Sequence, residues 1–201
     1  MDEFHKYELL EWAKRYGSGT HQLINILAEL KPTTERWIAG GAVRDFVRDE
    51  PLDSDVDVFF TDENACATFM MEMKARQDYR ETRATDGVVT FYVTIEGKPV
   101  LCQAVKIRWY ADMRECIDNF DYTVCQFATD GTTLLCGPYS LFDLARKRLA
   151  VHRVTFGASS VRRMLKYARK GFTACQGCIV SLLEGMNADD DLIRADIKYV
   201  D

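Results

Sequence analysis

Apolar residues recur at helical spacing towards both ends of the chain. Residues 3–16 follow this spacing and are predicted to form one helix, which ends at Gly17-Ser18-Gly19. A second helix is predicted from His21 to Leu30, before Lys31-Pro32. Beyond Ser140 the pattern predicts four more helices, near 140–148, 158–172, 175–186 and 189–199.

The middle of the chain has the shorter apolar runs that are typical of strands. Strands are predicted over 37–39, 56–60, 88–95, 100–107, 122–128 and 132–135, and helices over 42–48 and 64–76. Glu96-Gly97-Lys98 and Asp130-Gly131 are hairpin signals. The predicted fold class is therefore α+β, a mixed β-sheet with flanking helices and a helical C-terminal piece.

Composition indicates an ordinary globular protein. Of 201 residues, 47% are apolar and 28% charged, and no apolar run could span a bilayer. The N-terminus lacks a secretory apolar core, so we expect a cytoplasmic protein with no membrane partner. Seven scattered cysteines fit reduced, mostly buried thiols, and we expect Cys175 and Cys178 to be packing residues and not metal ligands.

The charge is unevenly distributed along the chain. The net charge of −5 argues against a long nucleic-acid groove. Basic residues nevertheless crowd the segment 146–170, where a local surface could hold a triphosphate.

The chemistry concentrates in Gly40-Gly41-Ala42-Val43-Arg44-Asp45 and in Asp55-Val56-Asp57. Two carboxylates one residue apart in a strand project to the same side and repel unless a cation lies between them. Mg²⁺, or Mn²⁺ in its place, prefers such oxygen ligands. A glycine pair lets backbone N–H groups approach a phosphate. Either half alone also fits an ordinary turn, but together they favour a phosphate and metal site.

These blocks resemble the head domain of class II tRNA nucleotidyltransferases and bacterial poly(A) polymerases, in the DNA polymerase beta superfamily. The segments 120–124, 140–144 and 163–169 resemble later blocks of that family, so the resemblance covers about 36–172. It implies a polymerase-beta-like nucleotidyltransferase head over 1–155, N-terminal helices included, and a neck-like helical segment over 156–201.

The resemblance also implies an activity and a set of site residues. The activity is transfer of a nucleoside monophosphate from a nucleoside triphosphate to a hydroxyl acceptor, with release of pyrophosphate. Asp55 and Asp57 would be the catalytic and metal-binding residues. The nucleotide-binding residues implied are Gly40, Gly41, Arg44, Asp45, Asp121 and Arg163. Arg44 is a candidate phosphate ligand and Asp45 a positioning residue.

Departures from the family pattern leave several alternatives open. Asp53 with Asp55 competes with Asp55 and Asp57 as the metal pair. Gln103 stands where the superfamily has a third carboxylate, and Ser159-Ser160 replace its base-reading acids. The segments with which the family holds tRNA are not expected here. The acceptor is thus an RNA 3′ end, a protein or a small molecule. The alternative function is a catalytically weak nucleotide-binding sensor module.

Overall fold

The computed structural model describes residues 3–17, 21–155 and 157–187, and it confirms the α+β class. The predicted helix over 189–199 lies outside the described residues. The chain divides into two compact units, residues 1–118 with 125–138 and residues 119–124 with 139–201. In the described ranges, no helix has the length and apolar character needed to cross a membrane.

The first unit is built on one eight-stranded sheet. Its strand order is β1-β8-β7-β2-β3-β6-β5-β4. The strands are β1 (His5–Glu8), β2 (Arg36–Ala39), β3 (Val56–Phe60), β4 (Arg80–Ala84), β5 (Val88–Ile95), β6 (Lys98–Val105), β7 (Phe127–Thr129) and β8 (Thr133–Cys136). Its helices are α1 (Leu9–Tyr16), α2 (Gln22–Leu30), α3 (Gly41–Val47), α4 (Glu63–Lys74) and α5 (Met113–Asp118). In this sheet β3 and β6 run parallel, whereas the other neighbours are antiparallel.

Helix α4 covers one face of β3, β6 and β5. Asp62 begins the helix, because its side chain accepts a hydrogen bond from the Ala65 N–H at 2.9 Å. The ring of Phe69 lies 5.5 Å from that of Phe60 and 6.3 Å from that of Phe91, and all three rings are fully buried. The alternation along β5 and β6 leaves their opposite face only half-buried. That more exposed face is where the polar side chains of the sheet lie.

Several local elements differ from the predictions. The helix over 3–16 begins only at Leu9, because His5–Glu8 pairs with β8 as an edge strand. Strand β4 and helix α5 were not predicted. The predicted strand over 122–128 is interrupted by a 3₁₀ turn at Thr123–Cys125, and only Phe127–Thr129 pairs in the sheet. The strands predicted over 56–60 and 88–95 are confirmed.

The second unit is mainly helical. Its helices are α6 (Ser140–Ala145), α7 (Gly157–Arg169) and α8 (Gln176–Asn187), and β9 (Arg148–Leu149) pairs in parallel with β10 (Thr173–Ala174). Tyr122, Tyr167 and Phe172 form its aromatic centre, with ring centroids 5.9 and 5.4 Å apart. The Tyr122 hydroxyl donates to the Ser160 carbonyl at 2.7 Å, which attaches α7 to this centre.

Candidate functional site

The glycine pair lies directly against the loop that precedes β3. Gly40 follows β2 and has a φ of 87°, a backbone conformation that residues with a side chain rarely adopt. Gly41 begins α3. A Cβ atom on Gly41 would stand 2.5 Å from the Ser54 Oγ atom, closer than any side chain allows. The two halves of the sequence motif, ten residues apart along the chain, are therefore in contact in the folded protein.

Arg44 and Asp45 hold this loop from the other side. The Arg44 Nη2 atom donates to Asp45 Oδ1 at 2.7 Å and to Ser54 Oγ at 3.2 Å. Asp45 Oδ2 accepts the backbone N–H of Asp53 at 3.1 Å. Both charged side chains are buried, 2% and 3% exposed. Because a buried ion pair is stable only when its remaining groups are also hydrogen-bonded, the pair and the loop depend on each other.

Asp57 lies within β3, whereas Asp55, which was expected in the same strand, immediately precedes it. Asp57 lies in β3 opposite Gln103 of the parallel strand β6, so their side chains project to the same side. The Gln103 Nε2 atom donates to Asp55 Oδ2 at 2.8 Å. Gln103 is thus next to Asp57 by strand register and next to Asp55 by its hydrogen bond. Both residues are half-buried, and Asp57 lies on the face of β3 opposite helix α4.

This donor set fits one hard divalent cation. Two carboxylates and the amide oxygen of Gln103 are ligands that Mg²⁺ accepts, while water and substrate oxygens complete its octahedral shell. Throughout residues 3–17, 21–155 and 157–187 there is no group of three or more His, Cys, Asp or Glu that could hold a metal ion. The chemistry of the site therefore depends on the two aspartates and on their neutral neighbour.

The face behind the carboxylates is apolar. Cys102 is fully buried in β6, next to Gln103 along the strand. Burial, and after it the negative charge of Asp57, raises the pKa of the Cys102 thiol to about 12. This thiol therefore stays protonated at neutral pH, and it lies on the opposite face of β6 from Gln103.

Asp121 and Arg163, the other two predicted site residues, belong to the second unit and contact each other there. Arg163 Nη1 pairs with Asp121 Oδ2, and Ser160 Oγ donates to the same oxygen at 2.9 Å. Asp121 is buried, whereas the Arg163 side chain is 47% exposed. These contacts fix the first half of α7. A nucleotide contact for either residue stays a prediction.

Two features of the site were not predicted as contacts. Ser54 is the residue against which Gly41 packs and to which Arg44 donates, yet in the sequence it is only a small residue before Asp55. The Gln103–Asp55 hydrogen bond spans 48 residues and follows from the β3–β6 register, which no local pattern indicates. Gln103 itself was visible in the sequence as a neutral residue where an acid was expected.

Comparisons with known proteins support the predicted fold. The model of a family described as Gabija anti-defense 2 family protein matches residues 3–147. No curated protein matches the chain. A Thermotoga maritima CCA-adding enzyme complexed with tRNA is 15% identical, with a TM-score of 0.66 over 94% of this chain and 47% of that one.

Two further CCA-adding enzyme structures agree with it. One is in complex with CTP (14% identity, TM-score 0.67, 91% of this chain and 47% of that one) and one with ATP (15%, 0.64, 94% and 46%). At these identities the likeness shows the fold alone. The chain spans about half the length of the enzymes that it resembles.

Proposed function

The chain belongs to the Gabija anti-defense 2 family, and we propose that it is a metal-dependent nucleotidyltransferase. It would transfer a nucleoside monophosphate from a nucleoside triphosphate to a hydroxyl acceptor and release pyrophosphate. The observation that carries this proposal is the contact of Gly41 with Ser54, directly before Asp55. It sets a glycine turn beside two carboxylates on a fold that CCA-adding enzymes share.

Each candidate site residue of the first unit has a role in this proposal. The N–H groups of Gly41 and Ala42 open α3 and have no partner within the helix, so they are donors for a phosphate. Asp55 and Asp57 would hold a divalent cation, which would supply polarisation of the reacting phosphate. Arg44 and Asp45 position the loop 53–55, so that the carboxylates are preorganised. A direct phosphate contact of Arg44 remains a prediction from the resemblance.

The proposed substrates are chemical classes, a nucleotide donor and a hydroxyl acceptor, and not individual molecules. The structural neighbours were solved with CTP, ATP and tRNA, and for this chain we propose a nucleoside triphosphate donor with an RNA 3′ end, a protein or a small molecule as acceptor. The family description names an anti-defense function against Gabija. We propose that this chain has that function and exerts it through the transferase site.

The proposal predicts that transfer depends on Asp57. The protein is incubated with Mg²⁺, each labelled triphosphate in turn, and pools of RNA, protein and metabolites. We expect label on one acceptor class and pyrophosphate in equal amount. Asp57→Asn should lower the rate at least 10³-fold, because it removes charge from the cation site while keeping the side-chain shape. The rate of pyrophosphate release is the measurement.

Asp53→Asn is the matched control for this experiment. It removes an acid from the same loop, but Asp57 and not Asp53 lies opposite Gln103, so Asp53→Asn should retain most of the transfer. If Asp53→Asn and Asp55→Asn abolish transfer while Asp57→Asn does not, the metal pair is Asp53 with Asp55. Transfer by the Asp55→Asn/Asp57→Asn double variant at the wild-type rate would refute the proposed activity.

A nucleotide sensor is the second candidate function, and the Gln103–Asp55 hydrogen bond favours it. A neutral amide at this position lowers the negative charge that a catalytic cation site needs. In that case the protein binds a triphosphate without turnover. Retained triphosphate binding, with no labelled acceptor and no pyrophosphate, would support this second candidate.

A further inference from the structure

The side-chain amide of Gln103 lies next to both candidate cation ligands, Asp55 and Asp57. Its nitrogen donates to Asp55 Oδ2 at 2.8 Å, and its strand position is opposite Asp57. An N–H group is a hydrogen-bond donor and cannot ligate a cation. One carboxylate oxygen of Asp55 is therefore already engaged by a hydrogen-bond donor.

No further acid follows along the same row of the sheet. Next to Gln103 across the strands lies Thr90 of β5, and next to Thr90 lies Arg83 of the edge strand β4. The row therefore passes from the negative charge of Asp57 through two neutral side chains to a positive charge. A cation placed further out than Asp57 would find no carboxylate in this row.

Charge sets the number of cations that this arrangement can hold. Two carboxylates neutralise one divalent cation. In two-metal sites the cations lie about 3.5–4 Å apart. Two divalent cations at that distance repel each other four times as strongly as two unit charges would, and no further anion is present to offset this repulsion. A second cation would also have to displace the Gln103 amide from Asp55 Oδ2.

We propose that the protein without nucleotide binds a single divalent cation, at Asp55 and Asp57, and that Gln103 is the residue that limits the site to one. Gln103 is a positioning residue: it orients Asp55 towards that cation and keeps a second one from Asp55 Oδ2. This inference rests on the proposed function. It adds that any second cation enters only together with the phosphates of the nucleotide.

The test is the stoichiometry of Mn²⁺ binding in the absence of nucleotide and acceptor. Free Mn²⁺ is followed by electron paramagnetic resonance during titration of the full chain. We expect one bound ion for the wild type and two for Gln103→Glu, which replaces the donor with a carboxylate of the same length. Gln77→Glu is the matched control, since it adds the same charge to the same unit at an exposed position and should leave one bound ion.

A second variant tests the positioning role without adding charge. Gln103→Ala leaves Asp55 without its amide donor, and loss of such an outer contact typically weakens metal binding about 10- to 100-fold. We expect one bound Mn²⁺ with a dissociation constant raised by that factor. An unchanged dissociation constant would overturn the positioning role, and thermal unfolding by circular dichroism shows whether each variant is folded.

The outcomes separate this inference from the proposed function. Two Mn²⁺ ions on the wild type, or one ion on a folded Gln103→Glu variant, would overturn the inference and leave the transferase proposal intact. No Mn²⁺ on the wild type would also overturn the inference, whereas the transferase proposal is decided separately by pyrophosphate release in the presence of nucleotide. Because two ions or none on the wild type would overturn the inference, and Gln103→Ala tests the positioning role separately, the test stands even if Gln103→Glu does not fold.

Discussion

At the scale of single residues, Gly41 shows how closely the two halves of the candidate site are packed. Its own backbone is helical, so alanine would suit α3 in isolation. The obstacle is tertiary, because a Cβ atom there would lie 2.5 Å from Ser54 Oγ and 2.7 Å from Ser54 Cβ. Glycine at this position is required by the neighbouring loop and not by the local conformation.

We predict that Gly41→Ala destabilises the protein by about 1–3 kcal/mol, the usual cost of overpacking. In a Ser54→Gly background the same substitution should cost less than half as much, because the atoms that it meets are gone. Urea denaturation of the four proteins in this double-mutant cycle gives the coupling free energy. Equal costs in both backgrounds would mean that Ser54 is not the obstacle.

At the scale of elements, a single arginine connects two helices to the sheet. Arg76, just after α4, donates to both oxygens of Asp78 at 2.9 and 3.1 Å and to Glu29 of α2 at 2.8 Å. Asp78 in turn accepts the backbone N–H of Thr94 in β5 at 2.6 Å. The hydrogen bonds from Arg76, and after them the one from Thr94, lower the pKa of the Asp78 carboxyl, while burial opposes them.

Asp78→Asn should therefore have a pH-dependent cost. Because the pKa of Asp78 is lower in the folded state, its stabilisation is fully present above its ordinary value of 3.8 and is lost as the pH falls through the folded-state value. We expect a loss of about 1–2 kcal/mol at pH 7 that shrinks as the pH falls below 3.8. The free energy of unfolding of both proteins across this range tests it. A constant difference between them would show that the Asp78 charge contributes nothing.

The elements that local pattern predicted are those whose burial alternates or is continuous. Val56–Phe60 has four buried residues in five, and the alternation along β5 is regular, so both strands were evident from the sequence. His5–Glu8 and Arg80–Ala84 are exposed at every position, and nothing in their composition indicates a strand. They are strands because β8 and β5 offer them backbone partners, which is a property of the assembled sheet.

The candidate site likewise has features that local sequence indicates and features that only the assembled fold creates. Its glycines and aspartates were found from spacing along the chain, since their chemistry is local. The contact of Ser54 with Gly41 and the hydrogen bond of Gln103 with Asp55 depend on how distant segments meet. Sequence therefore proposed which residues would carry the chemistry, whereas the structure was needed to find what holds them in position.

At the scale of the whole molecule, the seven cysteines separate sharply by exposure. Six are buried, including Cys178 as predicted, whereas Cys175 is exposed, so the prediction that Cys175 is a packing residue was wrong. Burial raises the pKa of Cys136 to about 12, as it does for Cys102, and it raises the pKa of Cys116 further still. At pH 8 only roughly one in ten thousand of such thiols is ionised.

We predict that a thiol reagent such as a chromogenic disulfide modifies one cysteine per native chain rapidly at pH 8, and all seven after denaturation. Cys175→Ser should remove the rapid phase and leave the slow one. Absorbance of the released thiol follows the reaction. A rapid phase that persists in Cys175→Ser would mean that another cysteine is accessible in the native protein.

The parallel pairing of β3 with β6 has a consequence for the order of folding. The β5–β6 hairpin closes through the two-residue turn Glu96-Gly97, both with positive φ, so it forms from neighbouring residues. Between Phe60 of β3 and Lys98 of β6 lie α4, β4 and β5, so the β3–β6 pairing closes a much longer loop than the hairpin does, and we expect it to form later. Asp55 and Asp57 would then meet Gln103 late, and a newly made chain would complete the candidate site only once nearly all of the first unit has folded.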